Sequence, residues 1–389
     1  MLKTATTAAA WLQDQQAPML ALLEDIVNID SNSYDKPGVA RVFRRLEAFF
    51  AEHGLRTTSH WADGVEIALS VTANPDSGVG EPVLLMGHCD TVFPTGEVAR
   101  RPFRVEGRRA YGPGVADMKA GLVMNAFILA AVARSPQGLP RVSGLFTCDE
   151  EIGSPLSKPV IAEVARQARF VFNAEPGRAN GNVVTGRKGG VFMEMAIEGR
   201  AAHSGANFAE GISAISELAH KVIALDGLTD LAQGVTVNVG LVSGGMSVNT
   251  SAPSSKASID LRIFNLEQRD ALVERIRCIC HRAFIPGTRA AMDIIGEFQP
   301  FVATPQSGRL FELYQSTLAA LGHSAEGEFS GGCADSGVTS SLGAITLCAT
   351  GPVGGKVHTA DEYCEIDTLV PRGLAVLHTL ARLPQTSWA

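Results

Sequence analysis

The sequence predicts an α/β protein, a central mixed sheet flanked by helices, with a smaller α+β domain inserted into it. Three observations carry this. Short apolar runs alternate with helix-period segments through the first half of the chain, the pattern of a sheet covered on both faces. After about Arg187 the order changes to strand-helix-strand-strand-helix-strand, which fits a four-stranded sheet with two helices. The chain has 389 residues, too many for one ordinary core. The expected division is residues 1–186 with 299–389, and 187–298 as the insertion.

Each element follows from its pattern. Helical periodicity covers 18–27 and 39–53, the second stopped by Gly54. Apolar runs at 65–71 and 82–87 read as strands. Residues 119–133, rich in Ala, Leu and Met, read as a helix. A strand at 142–148, a helix at 159–168 and a strand at 169–173 follow. In the insertion, 190–197 alternates like a strand with one wet face. Residues 210–225 and 267–283 are helical, and 235–242, 256–263 and 290–295 are strands. The outer pattern resumes with a helix near 308–321, a strand at 344–349 and a helix at 369–383. No internal repeat or low-complexity segment is evident.

Composition removes several function classes. Hydrophobic residues make up 46% and charged residues 19%, as in globular proteins. A net charge of −7, with no basic block, argues against a nucleic-acid partner. The N-terminal run MLKTATTAAAWLQDQQAPML has too short an apolar stretch for a secretory signal. No run approaches the ~18 apolar residues of a membrane span, so no membrane partner is expected. Seven scattered cysteines fit reduced thiols in a cytoplasm. Cys278 and Cys280, two apart in a helical pattern, point to different sides and would chelate poorly. The glycosylation-like Asn249-Thr250-Ser251 then reads as accidental.

Five polar elements sit at the ends of expected strands, where open α/β sheets place their sites. His88-Cys89-Asp90 follows the strand at 82–87. Its imidazole suits a metal ion, and Asp90 can take the other ring N–H and fix the tautomer. A capped, hydrogen-bonded histidine is the alternative. Asp117 stands at a helix start after the Gly- and Pro-rich Tyr111-Gly112-Pro113-Gly114. It could be an N-cap, or its two oxygens could bridge two cations. Asp149-Glu150-Glu151 directly follows an apolar strand. A solvated loop tolerates three adjacent acids; two bound cations would need them, one ligating and one left free as a base. Glu175 again lies just past a strand, and His358 stands in Gly354-Gly355-Lys356-Val357-His358. Nitrogen and oxygen donors without thiolate suit zinc, with Co2+ or Mn2+ as alternatives. Each of two ions would take one histidine, one terminal acid and the shared Asp117.

These motifs, with Pro102-Phe103-Arg104-Val105-Glu106-Gly107 leading into Tyr111-Gly112-Pro113-Gly114, give the chain a specific resemblance. It is similar to the dinuclear zinc peptidase family of glutamate carboxypeptidases, aminoacylases, acetylornithine deacetylases and succinyl-diaminopimelate desuccinylases. The glutamate carboxypeptidase branch is the nearest, and the similarity runs from Ile26 to Arg382. It implies a zinc-exopeptidase-like catalytic domain and an inserted dimerisation (lid) domain. It places His88 and Glu175 on one zinc, Glu151 and His358 on the other, and Asp117 between them. Asp90 would orient His88, Glu150 would be the general base, and the Asp117–Met118 bond would be cis. Met118 stands where that branch commonly has a second Asp, a change that removes no expected ligand. His203 would stabilise the oxyanion and in relatives reaches the partner subunit's site, which implies a homodimer. Asn249 and Arg262 match substrate-binding positions; Arg187 and the loop containing Gly332 are weaker candidates. Arg262 could instead pair with Asp260 on the same strand face.

The expected activity is hydrolysis of an amide that releases a C-terminal amino acid from a small N-acyl or peptidyl substrate. Deacylation of an N-acyl amino acid is the alternative. The resemblance implies a basic residue near Gln299, as in the glutamate carboxypeptidase branch; its absence here weakens a strict glutamate preference. A non-catalytic metal-binding protein would have no use for Glu150. A thiol hydrolase built on Cys89 would need that side chain on the face of His88, whereas strand neighbours point to opposite faces.

Overall fold

The computed structural model describes residues 6–388; the first five residues of the N-terminal run and the last residue of the chain lie outside the described residues. The chain forms two compact units. The first runs to Gly186 and resumes over Phe301–Ser330 and from Asp335; the second is Arg187–Pro300 with Gly331–Ala334. The short return of 331–334 differs from the expected single insertion. Its cause is local: Arg187 Nη1 donates to the carbonyls of Gly332 and Cys333 at 3.1 and 3.2 Å.

An eight-stranded mixed sheet centres the first unit. Its order is Thr57–Ala62, Val65–Ala73, Val142–Thr147, Val83–His88, Phe170–Asn173, Ile345–Cys348, Val183–Arg187 and Gly327–Ser330. Val83–His88 pairs in parallel with Val142–Thr147 and with Phe170–Asn173. All of its residues are buried, because helices cover both faces; hence the unbroken apolar run in sequence. Ala120–Arg134 is the core helix, buried from Ala120 through Val132. By length and composition Val115–Arg134 could cross a membrane, yet 94% of its apolar window is buried within the protein.

Several elements were not expected. Thr57–Ala62 is a half-exposed edge strand without apolar alternation. The Asp63-Gly64 turn joining it to its neighbour, with φ of 50° and 75°, was the available hairpin signal. The helix Thr6–Gln13 buries Ala8 and Leu12 in the main core. A four-stranded ribbon, Gly354–Gly355, Tyr363–Glu365, Arg109–Tyr111 and Arg104–Glu106, is too short and polar to show a period.

The second unit is an antiparallel sheet ordered Thr236–Gly244, Ser254–Ile263, Gly189–Glu198, Arg289–Phe298. Val191, Met193, Met195 and Ile197 are buried in its apolar core, while Glu194, Ala196 and Glu198 are exposed. Each such buried side chain contributes about 1.5–3 kcal/mol. The helices Ala214–Asp226 and Leu266–His281 supply the rest of that core. Their starts follow from caps: Ser213 Oγ accepts from Ser216 N–H, and Asn265 Oδ1 accepts from Gln268 N–H. The first cap explains why the helix begins at Ala214 and not at 210.

Candidate metal centre

The strand ends carry the chemistry. His88 closes Val83–His88, Glu150 and Glu151 follow Val142–Thr147, and Glu175 follows Phe170–Asn173. Parallel pairing brings these ends side by side: His88 is in register with Thr147, and Met86 with Asn173. Asp117 arrives on a separate turn, joined to Met118 by a cis peptide bond. Met118 packs its thioether under the strand, with Sδ 3.3 Å from the His88 amide nitrogen.

The two oxygens of Asp117 face two different imidazoles. Oδ1 is 3.3 Å from His88 Nε2, and Oδ2 is 3.3 Å from His358 Nε2. His358 Nε2 is also 3.2 Å from Glu151 Oε2. Glu150 Oε2 and Glu175 Oε1 each lie 3.8 Å from His88 Nε2. The ligand atoms of His88, Asp117 and Glu151 all lie within 4.8 Å of one another, as do those of His88, Glu150 and Glu175. His358 sits at φ 63°, the left-handed region, which is uncommon outside glycine and aims its ring at Asp117.

Asp90 does more than sequence spacing suggested. His88 Nδ1 lies 3.0 Å from the backbone carbonyl of Asp90 and 3.3 Å from its carboxylate. That carboxylate accepts the amides of Glu150 and Glu151, both at 3.1 Å, and the Ser33 hydroxyl at 2.6 Å. It therefore grips the acidic turn as well as the imidazole.

Electrostatics mark the cluster as short of positive charge. Burial pushes His88 down, but Glu150, Asp117 and Asp90 outweigh it and hold the imidazole well above its ordinary value. Asp117 and Glu151 raise His358 to about 10. Burial and the Asp117 charge push Glu151 up to about 7. Burial, with Glu175, Asp335 and Glu151 close by, lifts Glu150 well above the carboxylate range. For Asp117 burial opposes ionisation, yet the His358 and His88 imidazoles hold it below the usual range. His88 Nε2, Asp117 Oδ1 and Glu151 Oε1 are buried without an aligned hydrogen bond. Buried polar atoms of this kind cost free energy unless something coordinates them. The donor set is imidazole and carboxylate, which suits zinc, cobalt or manganese.

Sequence reasoning passed over two residues here, Ser33 and Glu362, and held Asp335 only as part of the loop containing Gly332. Ser33 anchors Asp90 from far along the chain and carries no local signal. Asp335, buried and raised to about 7 by burial with the nearby acids, accepts from the Ser154 hydroxyl at 2.6 Å. Glu362, four residues after His358, is fully buried; the acid so close behind a candidate ligand was the signal. Cys89 lies in the apolar core, and burial pushes its thiol well up, which removes the thiol-hydrolase alternative.

The remaining sequence candidates belong to the second unit. His203 is exposed, and its Nδ1 accepts the amides of Gly205 and Ala206 at 3.1 Å, which puts the ring proton on Nε2. Thr250 bridges to His203, and the Asn249 carbonyl accepts from Ser204 N–H, so Asn249 and His203 stand on adjoining segments. Arg262 pairs with Asp260 at 2.8 Å and reaches Cys333 Sγ at 2.7 Å. Arg187 is buried against the Gly332 carbonyl. Arg262, Arg187 and Gly332 thus form one group around Cys333.

An α/β sheet with acids and imidazoles at its strand ends defines the class: a metal-dependent hydrolase. Residues 84–383 match the sequence pattern described as peptidase family M20/M25/M40. The chain belongs to that family of metallopeptidases and amidohydrolases. It is 32% identical to carboxypeptidase G2 of a Pseudomonas species over 68% of this chain, and spans about 64% of that relative's length. It is 29% identical to succinyl-diaminopimelate desuccinylase of Gluconobacter oxydans, over 75% of this chain and 79% of that protein. Among solved structures it resembles an M20 family metallo-carboxypeptidase from Sulfolobus solfataricus, with a TM-score of 0.75, 17% identity and coverage of 95% and 99%. It also resembles a dinuclear metal-binding M20 peptidase from Bacillus subtilis, with a TM-score of 0.66, 14% identity and coverage of 96% and 99%. Those likenesses concern the fold.

Proposed function

We propose that this protein hydrolyses an amide bond and releases a C-terminal amino acid, using two divalent ions, zinc by preference. The observation that carries the reading is Asp117, whose two oxygens face His88 and His358 separately. In this reading His88 and Glu175 would hold one ion, Glu151 and His358 the other, and Asp117 would serve both. Bound ions supply Lewis acidity, lowering the pKa of water and polarising the scissile carbonyl. Glu150 takes the proton from the attacking water and gives it to the leaving amine. Its position beside His88, and its elevated proton affinity without metal, support the role of a base. Asp90 keeps Glu150 and Glu151 in place through their amides. His203, with its proton on Nε2, is the donor for the oxyanion. Asn249 and Arg262 bind the substrate, whose carboxylate suits the guanidinium. Arg187 and Gly332 shape the loop behind it.

A second reading, deacylation of an N-acyl amino acid, is favoured by the desuccinylase relative and by the neutral Gln299. A panel of N-acyl amino acids and dipeptides, with and without zinc, separates the two. Release of glutamate from peptidyl-glutamate substrates supports the first; release only from acetyl or succinyl compounds overturns it.

The working form is a homodimer in this proposal. Thr236–Gly244 is an edge strand carrying Leu241 and Val242, 71% and 61% exposed, an apolar edge suited to a second copy. A sedimentation mass of one chain would refute this. None of the seven cysteines forms a disulfide, which supports a reducing, cytoplasmic setting.

A further inference from the structure

Glu362 is the buried acid that the mechanism above leaves unused. It follows His358 by four residues, at the entry to the strand Tyr363–Glu365, and is fully buried. Its Oε1 accepts two consecutive backbone amides, Ala116 N–H at 2.8 Å and Asp117 N–H at 3.0 Å. Its Oε2 is buried and has no hydrogen-bond partner. A carboxylate hidden this deeply is costly unless it serves its surroundings.

What it serves is the turn that carries Asp117. The two ligand-bearing segments meet here at three points. Tyr363 is in register with Tyr111 in the small ribbon. A Cβ on Gly354 would come within 2.6 Å of Ala116 Cβ, so only glycine permits the approach. Glu362 supplies the third and polar link. His358 and Glu362 thus lie on one segment, and the Asp117 amide and carboxylate on the other.

We infer that Glu362 is the positioning residue for the shared ligand: by holding the amides of Ala116 and Asp117 it sets where the Asp117 carboxylate stands relative to His358. The inference rests on the two-ion reading proposed above. Asp117 Oδ1 and Oδ2 lie 3.3 Å from His88 Nε2 and His358 Nε2 respectively, and a shift of the turn would open both gaps. Both expected ions, which share Asp117, therefore depend on Glu362.

The choice of acceptor makes the claim testable. Glutamine keeps an oxygen that accepts both amides. Alanine removes it, and aspartate, one methylene shorter, falls short of it. Calorimetric zinc titration of the metal-free protein, together with kcat and KM, reads the result without relying on activity alone. Glu362→Ala and Glu362→Asp should weaken both binding steps by about 10- to 100-fold, the range for residues that orient ligands. KM should stay within about threefold of wild type, while kcat falls with the weakened ion binding. Glu362→Gln should keep both steps within about threefold of wild type. If Glu362→Ala is too unstable to purify, the pair Glu362→Gln and Glu362→Asp decides alone. Wild-type zinc affinities in the aspartate variant, or equal losses in the glutamine and aspartate variants, would overturn the inference. A wild-type protein that binds no second ion would instead defeat the two-ion reading, which the titration of unmodified protein reveals first.

Discussion

Replacing Asp90 by asparagine is the sharpest test of how the acidic turn is held. The Asp90 carboxylate accepts Glu150 N–H through Oδ1, and Glu151 N–H and the Ser33 hydroxyl through Oδ2. An asparagine carbonyl can serve one of the two amides; its NH2 then faces the other. One hydrogen bond to a charged group, worth about 1.5–3 kcal/mol, is lost. One buried N–H is left without an acceptor, which costs about 1–3 kcal/mol more. The sum, about 2.5–6 kcal/mol, is shared between folding and the placement of Glu150 and Glu151. His88 is less affected, because the Asp90 backbone carbonyl, 3.0 Å from Nδ1, survives the substitution. The expected result is a lower urea midpoint for the metal-free protein and zinc affinity weakened about 10- to 100-fold. The nitrogen chemical shifts of His88 should still report the same tautomer. A variant with an unchanged urea midpoint and zinc affinity within threefold of wild type would refute this account of Asp90.

Three further outcomes are expected. Glu150→Gln should retain bound metal but lose about 10²–10⁴-fold in kcat, the usual contribution of a positioned base; metal analysis beside steady-state kinetics checks it. In metal-free protein, thermal stability should fall as pH rises from 5 to 9. Glu151 is raised from 4.5 to about 7, so its contribution is complete below 4.5 and lost through about 7; His358, raised from 6.5 to about 10, contributes fully below 6.5 and loses that through about 10. Added zinc, which binds the deprotonated ligands, should stabilise more at pH 8 than at pH 6, and a flat zinc effect would contradict the ligand set. Lys221→Ala should destabilise the second unit by about 3–5 kcal/mol. It leaves Glu217 buried without its partner at 2.8 Å and frees the carbonyls of Ile279, Cys280 and Arg282. Since all the proposed metal ligands lie in the first unit, its zinc stoichiometry should stay at the wild-type value.

Legibility differed by the range of the interaction. The mixed sheet with flanking helices and the separate four-stranded sheet were readable because burial on one or two faces imposes a local period on the chain. Edge and ribbon strands such as Thr57–Ala62 and Tyr363–Glu365 bury too little to show one. The candidate ligands were readable as residue types out of place, acids and imidazoles directly after apolar strands. What they do together was not. That Asp117 faces two histidines, that Asp90 holds the amides of the acidic turn, and that Ser33 and Glu362 brace the pair all depend on contacts spanning tens to hundreds of residues. Sequence by itself determined which side chains had to be explained by something other than packing. Only the tertiary structure decided their partners, because parallel strand register and the meeting of remote loops, neither encoded in local spacing, set the distances on which coordination and hydrogen bonding depend.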